Sequence, residues 1–207
     1  MIFVKYPEPG KVKTRIADVL GDEEAAQIYR KLVARVSDQV VPGEDEGFDW
    51  TVWILFDPPE SELAVRDWLQ PHFDGVVERF LPQVRGDLGD RLAGAFRAGF
   101  AAGFDRVAAI GTDCVDLDRK GVAECWDRLE EADLVFGPAN DGGYYLVAMK
   151  QEWGALFEGV PWSCSETLAA SREIAVRLGL SVSELVRLDD IDEPAQWEAL
   201  CARERIG

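Results

Sequence analysis

The chain has 207 residues, a formal net charge of −17 and a hydrophobic fraction of 47%. This length and apolar content suit a single domain over residues 1–207 with a substantial core, and they exclude a disordered chain. The negative charge repels a polyanion, and no apolar run approaches the roughly 20 residues of a membrane-spanning helix, so we expect neither nucleic acid nor a membrane as a partner.

Apolar periodicity predicts strands that alternate with helices along the chain. The predicted strands cover residues 1–6, 49–56, 75–80, 107–110, 133–137, 144–149 and 186–188. The predicted helices cover residues 22–41, 61–69, 88–103, 118–131 and 166–178, with a last helix after residue 194. Loops are predicted at 42–47 and 81–88, and Ser165 is the expected N-cap of the helix that follows it. The alternation predicts an α/β fold, with a mainly parallel sheet and helices on both faces.

A basic cluster follows the first predicted strand. Lys5, Lys11, Lys13 and Arg15 lie within eleven residues of an otherwise acidic chain, and Gly10 lets the backbone come close to a ligand. The cluster suits phosphate binding, although its spacing matches neither a P-loop nor a dinucleotide-binding turn. A solvated basic face on a surface loop is the alternative explanation.

Acidic residues follow the apolar run at 107–110. Gly111 ends the run, and Asp113 and Asp116 come next, where ligands bind in open α/β sheets. Mg²⁺ and Mn²⁺ normally accept one or two carboxylates together with substrate phosphates, so the pattern predicts a metal–phosphate site. An aspartate at such a place also serves as a turn former or a helix N-cap, which is the alternative.

Three later stretches carry further candidates. Gly142 and Gly143 either supply positive φ angles or let a substrate lie against bare backbone, and Asp141 beside them is suited to hold a hydroxyl. Trp162 either stacks on a base or sugar or serves as a packing staple before a helix. The aspartates that precede the last helix either favour its dipole or complete the metal site.

The four cysteines are widely spaced, with no C-x-x-C pair and no disulfide pattern, so we expect reduced thiols. Cys114 is better explained as a small buried hydrophobe than as a nucleophile, because the single histidine, His72, is remote in sequence. The chain does not open with a basic segment followed by an apolar one, and we therefore expect a cytoplasmic protein.

Four motifs in order along nearly the whole chain resemble those of a known family. They are Phe3-x-Lys5-x-Pro7-x-Pro9-Gly10-x-Val12-Lys13-Thr14-Arg15, Gly111-Thr112-Asp113-Cys114, Gly137-Pro138-Ala139-x-Asp141-Gly142-Gly143-Tyr144-Tyr145-Leu146 and Val160-x-Trp162-Ser163. This set resembles the bacterial glycosyltransferase-like proteins related to the 2-phospho-lactate guanylyltransferase of deazaflavin cofactor synthesis. They belong to the nucleotide-diphospho-sugar transferase superfamily, so the resemblance implies a Rossmann-like three-layer mixed sheet.

The resemblance also implies roles for individual residues. The loop after the first strand is implied to bind the nucleotide and its phosphates through Lys5, Gly10, Lys13, Thr14 and Arg15. Asp113 is implied to hold Mg²⁺ or Mn²⁺, with Asp190 or Asp192 as the second ligand; Asp192 is our choice. The sugar or acceptor side is implied to consist of Asp141, Gly142, Gly143 and Trp162.

We therefore expect a metal-dependent transferase that uses a nucleotide-sugar and a small-molecule acceptor, with Asp113, Lys13 and Arg15 offsetting the charge of the diphosphate. One alternative is a nucleotidyltransferase of the guanylyltransferase type, which joins a nucleoside monophosphate unit to a phosphorylated small molecule. Another is a nucleotide-binding protein without catalysis. The non-catalytic alternative stays open because the chain departs from the family's motifs. Val115 stands where the family commonly has Pro, and Cys164 stands where it commonly has Thr. The motif around Asp192 lacks one carboxylate. The sequence gives no indication of the oligomeric state.

Overall fold

A computed structural model describes residues 1–41, 50–73 and 76–206. Its strands are β1 (Ile2–Lys5), β2 (Val52–Asp57), β3 (Val77–Pro82), β4 (Val107–Ile110), β5 (Leu134–Pro138), β6 (Tyr144–Met149) and β7 (Val182–Glu184). Its α-helices are α1 (Thr14–Leu20), α2 (Asp22–Val40), α3 (Glu62–Leu69), α4 (Leu88–Ala101), α5 (Arg119–Glu131), α6 (Thr167–Arg177) and α7 (Pro194–Ile206). The predicted loop 42–47 lies outside the described residues, as do Asp49 and Gly75 at the starts of two predicted strands.

The described strands form one sheet with the order β3-β2-β1-β4-β6-β5-β7. Among them β6 alone runs antiparallel to its neighbours, β4 and β5, and the other pairings are parallel. The chain moves outward from β1 through β2 to β3 and then returns to place β4 on the other side of β1. The boundary between β1 and β4 is therefore the switch point of the sheet, where α/β proteins bind ligands.

Helices cover both faces, and the residues of β4 show how the two cores divide. Ala108 and Ile110 join the core that contains α2 and α5, whereas Val107 and Ala109 join the core that contains α4 and α6. All four are buried, because successive strand side chains point to opposite faces and both faces here are covered. Burying an aliphatic side chain of this kind contributes about 1.5–3 kcal/mol. The predicted Rossmann-like α/β sheet, covered on both sides, is confirmed.

Several predicted bounds need correction. The last strand is β7, upstream of the predicted residues 186–188; Leu188 makes only an isolated bridge with Ala139. The residues of β7 are all half-buried, so they carry no continuous apolar signal. The predicted loop at 81–88 starts too early, because Leu81 and Pro82 still pair with β2. The helix α1, with Ile16 as its one buried residue, was not predicted.

The N-cap predicted for α6 is also wrong. The N-cap position is occupied by Glu166, which makes no side-chain capping bond. The backbone of Ser165 instead packs closely on Gly142. A Cβ on Gly142 would lie 2.1 Å from the Ser165 carbonyl oxygen. The helix start is held by Thr167, whose hydroxyl lies 2.7 Å from the carbonyl oxygen of Pro161. Every helix in the described part of the chain is too short or too polar to cross a membrane.

Candidate functional site

A cavity of about 760 Å³ opens at the switch point of the sheet. Its walls come from the carboxyl ends of β1 and β4, the loop between β1 and α1, the turn between β3 and α4, and β6. The strands β1 and β4 have a single registered pair, Ile2 with Ile110, and they are not paired beyond it. The crevice is therefore open where the sequence predicts a ligand.

Tyr29 of α2 spans the gap between the two strand ends. Its hydroxyl accepts a hydrogen bond from the backbone N–H of Lys5 at 2.9 Å and lies 3.4 Å from the hydroxyl oxygen of Thr112. Burial raises the pKa of Tyr29, and the charge of Asp113 raises it further, so the phenol is neutral. The sequence places Tyr29 only within the predicted helix 22–41, because nothing local marks a hydroxyl that reaches two distant strands.

Lys13 joins the two predicted metal ligands. Its ammonium group donates hydrogen bonds to Oδ1 of Asp113 and, at 2.7 Å, to Oδ1 of Asp192. The Lys13 side chain is 4% exposed, whereas those of Asp113 and Asp192 are 49% and 37% exposed. Burial alone would lower the pKa of Lys13, but the two carboxylates together outweigh it and raise that pKa, so the side chain stays charged.

Backbone contacts fix this arrangement. Lys13 has left-handed dihedral angles (φ 47°, ψ 48°), and its carbonyl oxygen accepts a hydrogen bond from Ala17 in the first turn of α1. The segment that precedes α7 is tied to the end of β4, because Ile191 N–H donates to the carbonyl oxygen of Asp113 at 3.0 Å. The Gln196 side chain accepts from the backbone N–H of Asp192 at 2.8 Å. These bonds bring Asp192 beside Asp113.

Asp190 takes a different position from Asp192. It is 8% exposed, and burial raises its pKa; the charges of Asp141, Asp192 and Asp113 add to this effect. In the described residues it makes no ion pair with Lys13, whose two carboxylate partners are Asp113 and Asp192. Of the two candidates for a second ligand, Asp192 is therefore the one that shares a cation with Asp113.

The other predicted phosphate-binding residues divide into two groups. Lys5, Thr14 and Arg15 line the cavity together with Lys13. Gly10 is not among its lining residues in the described part of the chain; its positive φ of 76° forms the turn that leads to them. The basic cluster is thus a wall of the cavity, and Gly10 shapes the loop that carries it.

The predicted sugar or acceptor residues lie next to the cavity wall. The described lining residues include Tyr144 and Ser163 but not Asp141, Gly142, Gly143 or Trp162. Oδ1 of Asp141 accepts from the backbone N–H of Gly143 at 2.8 Å, so this carboxylate folds its own loop. The centroid of the Trp162 ring lies 6.3 Å from that of Tyr144 and 6.4 Å from that of Phe157, and Nε1 of Trp162 lies 2.8 Å from where a Cβ on Gly89 would be.

Asp116, the second acidic residue after β4, also lies apart from the described lining residues. Its carboxylate forms a bidentate ion pair with Arg203 of α7, with N–O distances of 2.7 and 2.9 Å. Cys114 is buried as expected, and burial raises the pKa of its thiol, so it is a poor nucleophile.

Sequence reasoning missed one polar network in the wall. The Gln83 carboxamide donates to the carbonyl oxygens of Val4 at 3.2 Å and Leu55 at 2.9 Å, and accepts from Arg91 at 3.2 Å. Arg91 also pairs with Asp57 at 3.1 Å. Gln83 thereby ties β1 to β2 beside the cavity. The sequence does carry a signal for Gln83. A parallel strand that ends near residue 82 brings the residues after it to the edge of the sheet where ligands bind.

The donor set fits a divalent cation that arrives with a phosphorylated ligand. Among the described residues no group of three or more His, Cys, Asp or Glu side chains is placed to hold a metal ion. Asp113 and Asp192 do converge on one cation, the Lys13 ammonium, and they offer hard oxygen ligands. Two carboxylates completed by phosphate oxygens are a usual magnesium environment.

The sheet order, the switch-point cavity and its basic wall define the nucleotide-diphospho-sugar transferase fold. The family described as "Uncharacterized protein conserved in bacteria (DUF2064)" matches residues 46–164, and the chain belongs to this family. None of the curated proteins compared with the chain matches it.

Solved structures support the same fold. The crystal structure of a proposed nucleotide-diphospho-sugar transferase from Desulfovibrio desulfuricans G20 has 32% identity and a TM-score of 0.81, covering 93% of this chain and 80% of that chain. This similarity supports a transferase enzyme, as the sequence predicted.

More distant structures share the fold alone. One is 4-diphosphocytidyl-2C-methyl-D-erythritol synthase from Anaerococcus prevotii DSM 20548, with 10% identity, a TM-score of 0.64, and 99% and 95% of the two chains covered. Another is glucosyl-3-phosphoglycerate synthase from Mycobacterium tuberculosis, solved with Mn²⁺, UDP and glucosyl-3-phosphoglycerate. It has 16% identity and a TM-score of 0.53, with 86% and 74% of the two chains covered.

Proposed function

We propose that this protein is a metal-dependent transferase that acts on a nucleotide-sugar and a small-molecule acceptor. The observation that carries the proposal is the meeting of a basic loop with two carboxylates in one cavity at the switch point. The diphosphate of a nucleotide-sugar needs both partners: cations for its oxygens, and carboxylates to hold a further divalent cation. The similarity to the Desulfovibrio structure adds support.

In this proposal the chain acts by positioning and by charge. Lys5, Lys13 and Arg15 bind the phosphate oxygens, and Lys13 and Arg15 offset the negative charge that develops as the bond to the diphosphate breaks. Asp113 and Asp192 would hold Mg²⁺ or Mn²⁺, which supplies further charge neutralisation when bound. Thr14 contributes a hydroxyl to the same wall. No protein nucleophile is needed, consistent with the buried Cys114 thiol.

The acceptor side is proposed to lie toward the 139–143 loop. Tyr144 lines the cavity directly after Asp141, Gly142 and Gly143, and Ser163 lines it directly after Trp162. This loop therefore borders the side of the cavity that is proposed to bind the acceptor. We also propose that residues 1–207 act as one domain, because Lys13 near one end of the chain and Asp192 near the other share this site.

A nucleotidyltransferase is the second candidate, because the erythritol-type cytidylyl enzyme aligns over more of the chain than the glucosyl synthase does. In this reaction the acceptor phosphate attacks the α-phosphorus of a nucleoside triphosphate, the bond between the α- and β-phosphates breaks, and pyrophosphate leaves. The same basic wall and carboxylates would serve this reaction. The resemblance to the guanylyltransferase of deazaflavin synthesis favours a phosphorylated small-molecule acceptor for this candidate.

Thermal unfolding with a panel of nucleoside triphosphates and nucleotide-sugars, each with and without Mn²⁺ or Mg²⁺, tests the proposal. A ligand at a hundred times its dissociation constant adds about 2.7 kcal/mol, which shifts the midpoint clearly. We expect a metal-dependent shift with a nucleotide-sugar; a shift with a triphosphate alone would favour nucleotidyl transfer. Asp113→Asn should remove the shift, and Asp116→Asn, a neighbouring carboxylate paired with Arg203, should retain it. Binding without turnover of any acceptor would indicate the non-catalytic alternative.

A further inference from the structure

The Lys13 ammonium group lies where the two carboxylates of the site converge. It contacts the Oδ1 atoms of both Asp113 and Asp192, and these are the atoms with which the carboxylates would hold a divalent cation. The lysine head group is almost fully buried, while both carboxylates are substantially exposed. The ammonium thus neutralises both carboxylates at their Oδ1 atoms, although the two carboxylate side chains stay partly exposed.

The backbone of Lys13 is strained in this arrangement. Its φ of 47° lies in the left-handed region, which is unfavourable for a side chain with a Cβ. The buried side chain of Val12 before it and the first turn of α1 after it hold the residue there.

We propose that Lys13 is the resident counter-cation of the site and competes with the divalent cation for Asp113 and Asp192. An ammonium 2.7 Å from a carboxylate oxygen would repel a divalent cation held by the same carboxylate. Lys13 therefore leaves the carboxylates when the divalent cation binds, and the phosphates of the nucleotide accept its ammonium. The inference rests on the proposed function and adds a consequence: the metal binds weakly alone and tightly together with the nucleotide.

Manganese binding to the nucleotide-free protein tests the competition, with the electron paramagnetic resonance signal of free Mn²⁺ as the readout. Lys13→Met removes the ammonium and keeps a side chain of similar shape. We expect this variant to bind Mn²⁺ at least about tenfold more tightly than the wild type. Lys13→Gln keeps a polar head group and should shift the affinity in the same direction, which keeps the test valid if the methionine variant fails to fold.

Two controls separate competition from a general gain in negative charge. Lys11→Met removes a positive charge from the same cavity wall, and Lys11 makes no ion pair among the described residues; we expect a change of less than about threefold. Adding Asp113→Asn to Lys13→Met should abolish the gain in affinity, because it removes one of the two carboxylates.

The outcomes are distinct. Equal Mn²⁺ affinities in the wild type and both Lys13 variants would overturn the competition and leave a metal-dependent transferase intact. An equal gain in Lys11→Met, or a gain that survives Asp113→Asn, would also overturn it. If Mn²⁺ binds to none of these nucleotide-free proteins, the competition fails, and the metal dependence of the proposed function is decided separately by the thermal panel with nucleotide present.

Discussion

Two loops that the sequence marks with glycine and charge behave differently in the structure. In the loop after β1, Lys13 reaches partners that are 100 and 179 residues away in sequence, Asp113 and Asp192. In the loop between β5 and β6, Asp141 bonds to the backbone two residues on, and Gly142 packs on Ser165. Similar composition therefore serves two purposes: the first loop brings charge into the cavity, and the second holds its own shape.

The largest expected effect concerns the carboxylates of the two loops. On the proposed function, Asp113→Asn should lower kcat/KM about 10²–10³-fold, as the loss of a charge-stabilising group does in other enzymes. Asp141→Asn should lower it less than about tenfold, because Oδ1 of Asp141 is engaged by its own loop. Steady-state kinetics on the substrate found by the thermal panel measures both. An equal loss in the two variants would mean that both loops contact the reacting groups.

The second effect concerns the glycines and is measured by urea unfolding. Gly142→Ala places a Cβ 2.1 Å from a backbone oxygen at a φ of 92°, so we expect a loss of about 3 kcal/mol in the free energy of unfolding. Gly10→Ala meets only the Asp22 side chain at 3.4 Å at a φ of 76°, and we expect a loss of about 1 kcal/mol. Similar losses at both sites would show that backbone strain at Gly10 costs as much free energy of unfolding as the close packing of Gly142 on Ser165.

These contrasts show what local sequence predicts and what it does not. The apolar run of β4 and the aspartate after it predicted a strand and the place of the cavity, and β6 was predicted with its observed bounds. A continuous apolar run marks these strands because both faces of the sheet are covered. The half-buried β7 and the seven-residue α1 carry little apolar signal, so the former was misplaced and the latter missed.

Several residues of the cavity wall were predicted from the sequence, but their contacts were not. The basic cluster and Asp113 were predicted from strand ends, where parallel strands collect ligand-binding residues. The pairing of Lys13 with both carboxylates depends on the crossing of β1, β4 and the segment before α7. The Gln83 network and the Tyr29 bridge likewise depend on contacts between distant strands, which spacing does not encode.

A third prediction compares two tyrosine hydroxyls, each in one hydrogen bond to the backbone. Tyr29→Phe removes the acceptor of the Lys5 N–H bond beside the basic loop, and Tyr145→Phe removes the donor to the Val186 carbonyl beside β7. Each change should cost about 1 kcal/mol in the free energy of unfolding. Only Tyr29→Phe should also weaken nucleotide binding, because it loosens the crevice between β1 and β4. Calorimetric titration checks this, and equal affinities in the two variants would contradict it.

The smallest expected effect concerns the loop after β4, in which Asp113 and Asp116 each pair with a cation that is distant in sequence. The Asp116 pair with Arg203 is exposed on both sides, with 37% and 54% of the two side chains accessible, so Asp116→Asn should cost less than about 1 kcal/mol in the free energy of unfolding. Asp113 faces an almost fully buried lysine, and Asp113→Asn leaves that ammonium with one carboxylate instead of two. Urea unfolding of Asp113→Asn should therefore show the larger loss. If the two losses are equal, burial of Lys13 adds nothing to its ion pair, and the site is held by its backbone bonds alone.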